Sequence, residues 1–258
     1  MKAPLRETGS FFREYMPPMS RKLFYTLTVA FVVSVLLMSV GGQVGATVLG
    51  YFILTPAGAF FQYQIWQLLT FAFVQLSLLA FLLQMLGLFF LGRIIEEQLG
   101  GRRFLAFVIL SALGVGLLHA VFFGIGAQVR NPALGSIPLL GFSGPLYAML
   151  IAIIVMNPSV RFHMIFFEIP VRVLGVIVGF IILIEIAVNP SYFAHGIGGV
   201  GMGWLLIKVP GILDFFEDFR PPGRKRRRRT ARVIGMGHPG RHSDVDDRYN
   251  DPHWKLDQ

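Results

Sequence analysis

The apolar residues of this chain come in blocks, not in an alternating pattern or a single amphipathic stripe. The blocks run from about Leu23 to Val40, Val74 to Leu91, Phe104 to Phe123, Ser143 to Asn157-Pro158, Val171 to Val188 and Phe193 to Val209. Most are close to the roughly 20 residues that one helix needs to cross a bilayer. Hydrocarbon satisfies no backbone polar group, so such blocks are read as helices; a barrel would show short alternating segments instead. The pattern predicts an all-α, polytopic membrane protein, a bundle of six transmembrane helices. Between the blocks, Gly41-Gly42 ends the first span, and no charged residue occurs from Leu23 to Gly92. That stretch is too long for two spans and a tight turn. Its middle, "YFILTPAGAFFQYQIWQLLT", carries Pro56, Gly58 and clustered aromatics suited to the headgroup zone, so a sizeable loop partly sunk in the outer leaflet is expected. Arg93, Glu96, Glu97, Arg102 and Arg103 mark the next turn. Residues 124–140 read as a Gly/Pro-bearing loop, Arg161 to Arg172 as a cytoplasmic loop, and "NPSY" as the turn into the last span.

Composition agrees with this reading: 54% of the 258 residues are hydrophobic, only 14% are charged, and the mean hydropathy is +0.64. A soluble globule of this length could not hide that mixture in a core. The net charge of +9 is concentrated beside the apolar blocks, above all in "RPPGRKRRRR" from Arg220 to Arg229. It therefore reads as a topology signal touching anionic lipid, and no nucleic-acid partner is expected. Six spans with both termini cytoplasmic put nearly every Lys and Arg on one side, Arg130 excepted; moving the count by one breaks that asymmetry. The expected organisation is a cytoplasmic N-terminal arm (1–22), a membrane domain (23–209) with an uncleaved first span, and a basic, disordered cytoplasmic tail (210–258). The compact core and the lack of an organellar presequence point to a bacterial cytoplasmic membrane. Cysteine is absent, which removes disulfides, thiolate metal sites and a cysteine nucleophile, and neither metal nor cofactor is expected.

The candidate chemistry lies in "LGFSGPLYAML", residues 140–150, and "AHGIGG", residues 194–199. The topology sets Ser143 and His195 at the same end of the fourth and sixth spans, at similar depth. A serine hydroxyl attacks well only when a base takes its proton, and histidine suits that work near neutrality. Gly141 and Gly144 remove side chains beside Ser143, and Gly198 and Gly199 lie one turn below His195, so the two helices can press together. Tyr147, one turn below Ser143, is expected to pack its ring on the imidazole. A bland reading stands beside this one: Ser143 as a helix N-cap, His195 as an interhelical hydrogen-bond donor and the glycines as ordinary packing. The string differs from a soluble nucleophile elbow, because Pro145 stands two after the serine and no strand precedes it.

These residues resemble the rhomboid family of intramembrane serine proteases over approximately residues 20–210. "GFSG" with Tyr147, "AHGIGG", "GRIIEEQLGGRRF" at 92–104 and "IWQLLTFAF" at 65–73 carry the resemblance. It implies a rhomboid-like fold and a dyad without an aspartate: Ser143 as nucleophile, His195 as general base, and Tyr147 stacked on it. The Ser143 backbone N–H would help hold the oxyanion, Glu96 would fill a structural acidic position, and transmembrane, single-pass proteins would be the substrates. The chain also departs from the family pattern. Ala80 and Gln84 replace the histidine and asparagine that usually serve the oxyanion, Gln67 replaces an arginine, and Met202 replaces a glycine, which predicts a looser contact between spans four and six.

Losing one oxyanion donor typically costs on the order of 3 kcal/mol, which slows an enzyme without abolishing it. Two functions therefore follow: a Ser-His intramembrane protease, or a catalytically impaired relative that binds transmembrane clients. A third, transport, rests on Glu185 in "IILIEIAV", an acid inside span five that reads either as part of an ion pathway or as an acid facing polar partners near an outer cavity. His119 is expected to hydrogen-bond between helices, and His163 to lie in a cytoplasmic loop.

Overall fold

The computed structural model describes residues 15–163, 168–209 and 211–214. Most of the N-terminal arm and nearly all of the basic tail expected from the sequence lie outside the described residues. In chain order the helices are α1 (Pro18–Val40), α2 (Gly42–Gly50), α3 (Pro56–Phe61), α4 (Gln67–Thr70), α5 (Leu78–Leu99), α6 (Gly101–Val129), α7 (Ser143–Met156), α8 (Val171–Val188) and α9 (Gly199–Lys208). A π-helical turn, Ala194–Gly198, leads into α9, and a second one, Leu88–Gly92, lies inside α5. Among the described residues, four helices are long and apolar enough to cross a membrane: α1, α5, α6 and α8; α7 is a shorter apolar helix. Burial ranks them, since 56% of the apolar window of α6 is buried but only 11% of that of α8. The third span is thus the hub, and α8 lies at the rim with most of its side chains facing outward.

The long loop of the sequence reading is largely helical. Thr55 caps α3 by accepting the Gly58 N–H at 3.1 Å. Gln67, buried at 1% exposure, holds the segment from inside: its Oε1 accepts the Thr55 N–H at 3.2 Å, and its Nε2 donates to the Gly50 carbonyl at 3.3 Å and to Gln64. Trp66 Nε1 donates to the Tyr51 carbonyl at 2.8 Å, and Thr70 Oγ1 to the Phe52 carbonyl at 3.0 Å. Gln67, where the resemblance implies an arginine, thus satisfies both donors and acceptors of a buried loop, which a guanidinium, a donor only, cannot do.

Two corrections concern the charged turn after the second span. Arg93, Glu96 and Glu97 do not break the helix: α5 runs on to Leu99, with Arg93 Nε bonded to Glu97 Oε1 at 2.8 Å one turn away. The reversal is made by Gly100 alone, whose φ of +81° disfavours any side chain. The reason α5 continues is tertiary. Glu96 is 4% exposed, and its carboxylate accepts the backbone N–H of Met19 at 2.9 Å, that of Ser20 at 2.5 Å and the Ser20 hydroxyl at 2.7 Å. These are first-turn donors of α1, whose own N-cap residue, Pro17, supplies no side-chain bond. Glu96 therefore caps a helix from a distant part of the chain, where the helix dipole also favours negative charge. Between α7 and α8, Arg161–His163 and Glu168–Pro170 pair as two antiparallel strands, where the sequence suggested only a loop.

The tightest helix pair is α7 with α9. A Cβ added to Gly199 would lie 2.5 Å from the Gly144 carbonyl oxygen, and one added to Gly203 would collide with the Ala148 backbone. Met202 does not loosen this contact as the sequence suggested. It turns toward α6, where it fills the space above Gly114, and Gly203 takes over the close approach.

Glu96→Ala leaves three first-turn donors of α1 without their partner, and hydrogen bonds to a charged group contribute about 1.5 to 3 kcal/mol each in mutational series, with partial replacement by water. The expected result is destabilisation of roughly 3 kcal/mol for Glu96→Ala and about half that for Glu96→Gln. Unfolding in mixed micelles, with each variant compared to the parent chain, measures both.

Candidate active site

Ser143 opens α7, so its backbone N–H belongs to the first helical turn, which has no intrahelical acceptor. Gly141, two residues before it, sits at φ +103°, a conformation that L side chains rarely adopt, and its N–H donates to the Phe71 carbonyl at 2.9 Å. The turn is braced further by Leu54 and Leu139, which exchange backbone hydrogen bonds of 3.1 and 2.8 Å. Gly144 is required for contact: a Cβ there would lie 3.0 Å from Val115 and 3.3 Å from His195 Nδ1.

A cavity of about 370 Å³ lies beside Ser143, walled by α5, α7 and α8. Its lining brings together Ser143, Tyr147, Gln84, Ala80 and Glu185, with leucine, isoleucine, valine, phenylalanine and glycine elsewhere. Gln84 Oε1 accepts the Phe142 N–H at 3.1 Å. A backbone N–H can pair only with the oxygen of the amide, so this bond fixes which way the side chain points and leaves the Nε2 donors uncommitted. Ala80, one turn earlier on α5, brings no polar group, and its own N–H is taken by the cap residue Ser77 at 3.4 Å.

His195 is 1% exposed and stands on the π-helical turn before α9. Such turns interrupt a helix at the cost of ladder bonds and recur where a side chain has to be aimed. Its Nε2 lies 3.1 Å from the Leu140 carbonyl oxygen. A carbonyl only accepts, so the proton is on Nε2, and in the neutral ring Nδ1 carries the lone pair. Nδ1 is buried and has no hydrogen-bond partner among the described residues. No hydrogen bond joins Ser143 Oγ to His195 among the described residues; the imidazole lies next to residue 144 and behind the cavity wall. His119 makes a parallel contact, Nε2 to the Ile137 carbonyl at 3.0 Å, so two imidazoles from different helices hold the loop that precedes Ser143.

The expected stacking of Tyr147 on His195 is replaced by another arrangement. The ring neighbours of His195 are Phe71 and Tyr192, both with centroids 6.1 Å away and tilted. The Tyr147 hydroxyl instead donates to Glu185 Oε2 at 3.0 Å. A carboxyl facing an apolar cavity has few available donors, and the phenol one turn below Ser143 is within its reach. Glu185 thus has a polar partner and lines the cavity. Gly198 faces α6 at Val115 and Leu118, and Gly199 faces α7.

One residue that the sequence reading passed over belongs to this neighbourhood. Gln75 is 7% exposed, and its Oε1 would lie 2.9 Å from a Cβ added to Gly141, so it forms part of the floor under the turn before Ser143. Its signal in the sequence was an amide in a long uncharged run, where a polar group needs a partner. Among the described residues, no cluster of three His, Cys, Asp or Glu side chains could hold a metal.

No curated protein matches the chain. A family model described as the Rhomboid domain matches residues 62–210, more than half of the chain, and the match spans Ser143, His195 and every residue that lines the cavity. With its apolar helices it is an integral membrane protein, and the chain belongs to the rhomboid family, whose members are generally serine intramembrane proteases.

Proposed function

We propose that this chain is an intramembrane serine endopeptidase that cleaves single-pass transmembrane proteins with a Ser143-His195 dyad. The observation that carries the reading is Ser143 at a helix N-terminus on a cavity between α5, α7 and α8, with an unpartnered imidazole nitrogen packed against residue 144. Six spans with both termini cytoplasmic, in a bacterial inner membrane, remain the topology that best explains the charge distribution. Residues 1–22 are then a cytoplasmic arm and residues 210–258 a cytoplasmic tail.

In this mechanism a transmembrane segment enters the cavity and unwinds locally, because a scissile carbonyl has to leave the helical hydrogen-bond ladder. Ser143 Oγ attacks that carbonyl, and its proton passes to the imidazole nitrogen bearing the lone pair. With Nε2–H held by the Leu140 carbonyl, that nitrogen is Nδ1; release of Leu140 would offer Nε2 instead. The tetrahedral oxyanion is met by the Ser143 backbone N–H and by Gln84 Nε2, whose amide is already oriented by Phe142. The imidazolium gives its proton to the leaving amine. Water, activated by the same histidine, then hydrolyses the acyl-enzyme.

A second reading, a relative that binds transmembrane clients without cutting them, is favoured by the absence of a donor at Ala80 and of a resting Ser143 to His195 hydrogen bond. The two differ in one experiment. A fluorophosphonate should label the parent protein and fail to label Ser143→Ala, and His195→Ala should slow labelling by roughly a thousandfold. No labelling of the parent protein, with client binding intact, favours the binder.

The oxyanion arrangement gives a separate expectation. Gln84→Ala should lower kcat by roughly a hundredfold or more, and Ala80→His should raise it, since a donor is worth about a factor of 10² to 10³ at such a position. Steady-state cleavage of a fluorogenic transmembrane peptide reads both changes.

A further inference from the structure

Glu185 takes no part in the mechanism above, yet it is the only residue with a formally charged side chain among those lining the cavity that holds Ser143. Its Oε2 is taken by the Tyr147 hydroxyl at 3.0 Å, and its other oxygen has no hydrogen-bond partner among the described residues. Tyr147 thereby fixes the direction of the carboxyl and leaves one acceptor oxygen open. Leu174, Val178 and Ile181 line the same cavity from the same helix. With Glu185 they follow one another at spacings of four, three and four residues, so they form one face of α8, an apolar stripe roughly 16 Å long that ends in an acid. Because α7 and α8 run in opposite directions past each other, the acid end of the stripe and the N-terminal residue Ser143 fall at the same end of the pair, an arrangement the Tyr147 to Glu185 bond makes direct.

An open carboxyl oxygen in an apolar wall is costly in hydrocarbon unless a donor meets it. The geometry points to Glu185 as a specificity-determining residue that receives a cationic side chain, lysine or arginine, next to the scissile bond of a transmembrane substrate whose apolar face lies along Leu174, Val178 and Ile181. This rests on the reading that the cavity receives a transmembrane segment. The substrate class is then an apolar segment ending in a basic residue at the cleaved end. Lysine reaches such a site with an apolar stem and a terminal ammonium, which matches a stripe of aliphatic side chains ending in a carboxyl. A glutamate at that position of the substrate would meet Glu185 as a like charge and be rejected.

The test separates binding from cleavage. The full-length protein, as Ser143→Ala, is placed in nanodiscs of phosphatidylcholine, whose quaternary ammonium donates no hydrogen bond, so that the peptide alone supplies an N–H donor. Fluorescent transmembrane peptides carry Lys, Ala or Glu at each of the positions around one end of the apolar segment, and affinity is read by anisotropy. At one position the Lys peptide should bind roughly tenfold tighter than the Ala peptide and the Glu peptide more weakly than either. In Glu185→Gln the Lys preference should collapse, and in Glu185→Lys the order of Lys and Glu should reverse. Equal affinities for the three peptides at every position, or a Lys preference that persists unchanged in Glu185→Gln, overturns the inference. The peptide scan on unaltered Glu185 stands without the Glu185 variants, so a variant that fails to fold does not remove the test. The same peptides are offered to the Ser143 protein for cleavage. Cleavage without any charge preference sinks the role of Glu185 and leaves the protease standing, whereas a Lys preference without cleavage sinks the protease and leaves Glu185 as the selector of a bound client.

Discussion

The structure depends on the close approach of α7 and α9. Gly199 lies against the Gly144 carbonyl, and Gly203 against the backbone of Ala148. Lipid tails are as apolar as the side chains they surround, so two helices in a bilayer gain little by hiding leucines from the solvent; they gain from tight packing, which small residues permit. Glycine at 199 and 203 brings backbone to backbone, so the helix that follows the His195 turn is pressed onto the one that begins at Ser143. Any side chain at these positions would push the helices apart and separate the candidate base from the candidate nucleophile before altering either.

The second constraint is the supply of hydrogen bonds where water is scarce. The irregular backbone around the site is accounted for almost group by group. Gln67 fastens the segment before it, Leu54 and Leu139 exchange their backbone groups, Gly141 donates to Phe71, and His119 and His195 each take a carbonyl of the turn that precedes Ser143. The glutamine at 67 suits this role because one amide side chain can serve an N–H and two carbonyls together. His195 consequently supports the loop through Nε2 while its Nδ1 keeps a lone pair without a partner among the described residues.

The cavity shows a division of labour between its walls. α5 contributes Gln84, oriented by a backbone N–H; α7 contributes the hydroxyl and a helix N-terminus; α8, the least buried of the long helices, contributes an apolar stripe and one carboxyl. α5 and α7 thus carry the groups that would act on a carbonyl. The peripheral helix carries the features that would discriminate among segments lying against it.

Much of this was legible in the sequence. Apolar block length determined the class of fold, and the boundaries of the fifth span, Val171 to Val188, coincide with α8, because a lipid-exposed helix obeys composition with little tertiary interference. The close approach at Gly144 and Gly199 was legible as well, since glycine spacing on a helix directly encodes which face can be approached. Local pattern did not disclose what depends on distant partners. Arg93, Glu96 and Glu97 read as a turn, yet the helix continues through them because Glu96 caps α1, a contact spanning more than seventy residues of chain. Tyr147 read as the partner of His195, but three-dimensional packing gives its hydroxyl to Glu185 and sets Phe71 and Tyr192 beside the imidazole. Sequence determined that the chain is built from apolar helices and which helix faces could touch, and four of the six expected spans are, among the described residues, helices long and apolar enough to cross a membrane. Only the tertiary structure decided which buried donor met which acceptor, because in hydrocarbon that choice is made by whichever polar groups the packing leaves within reach.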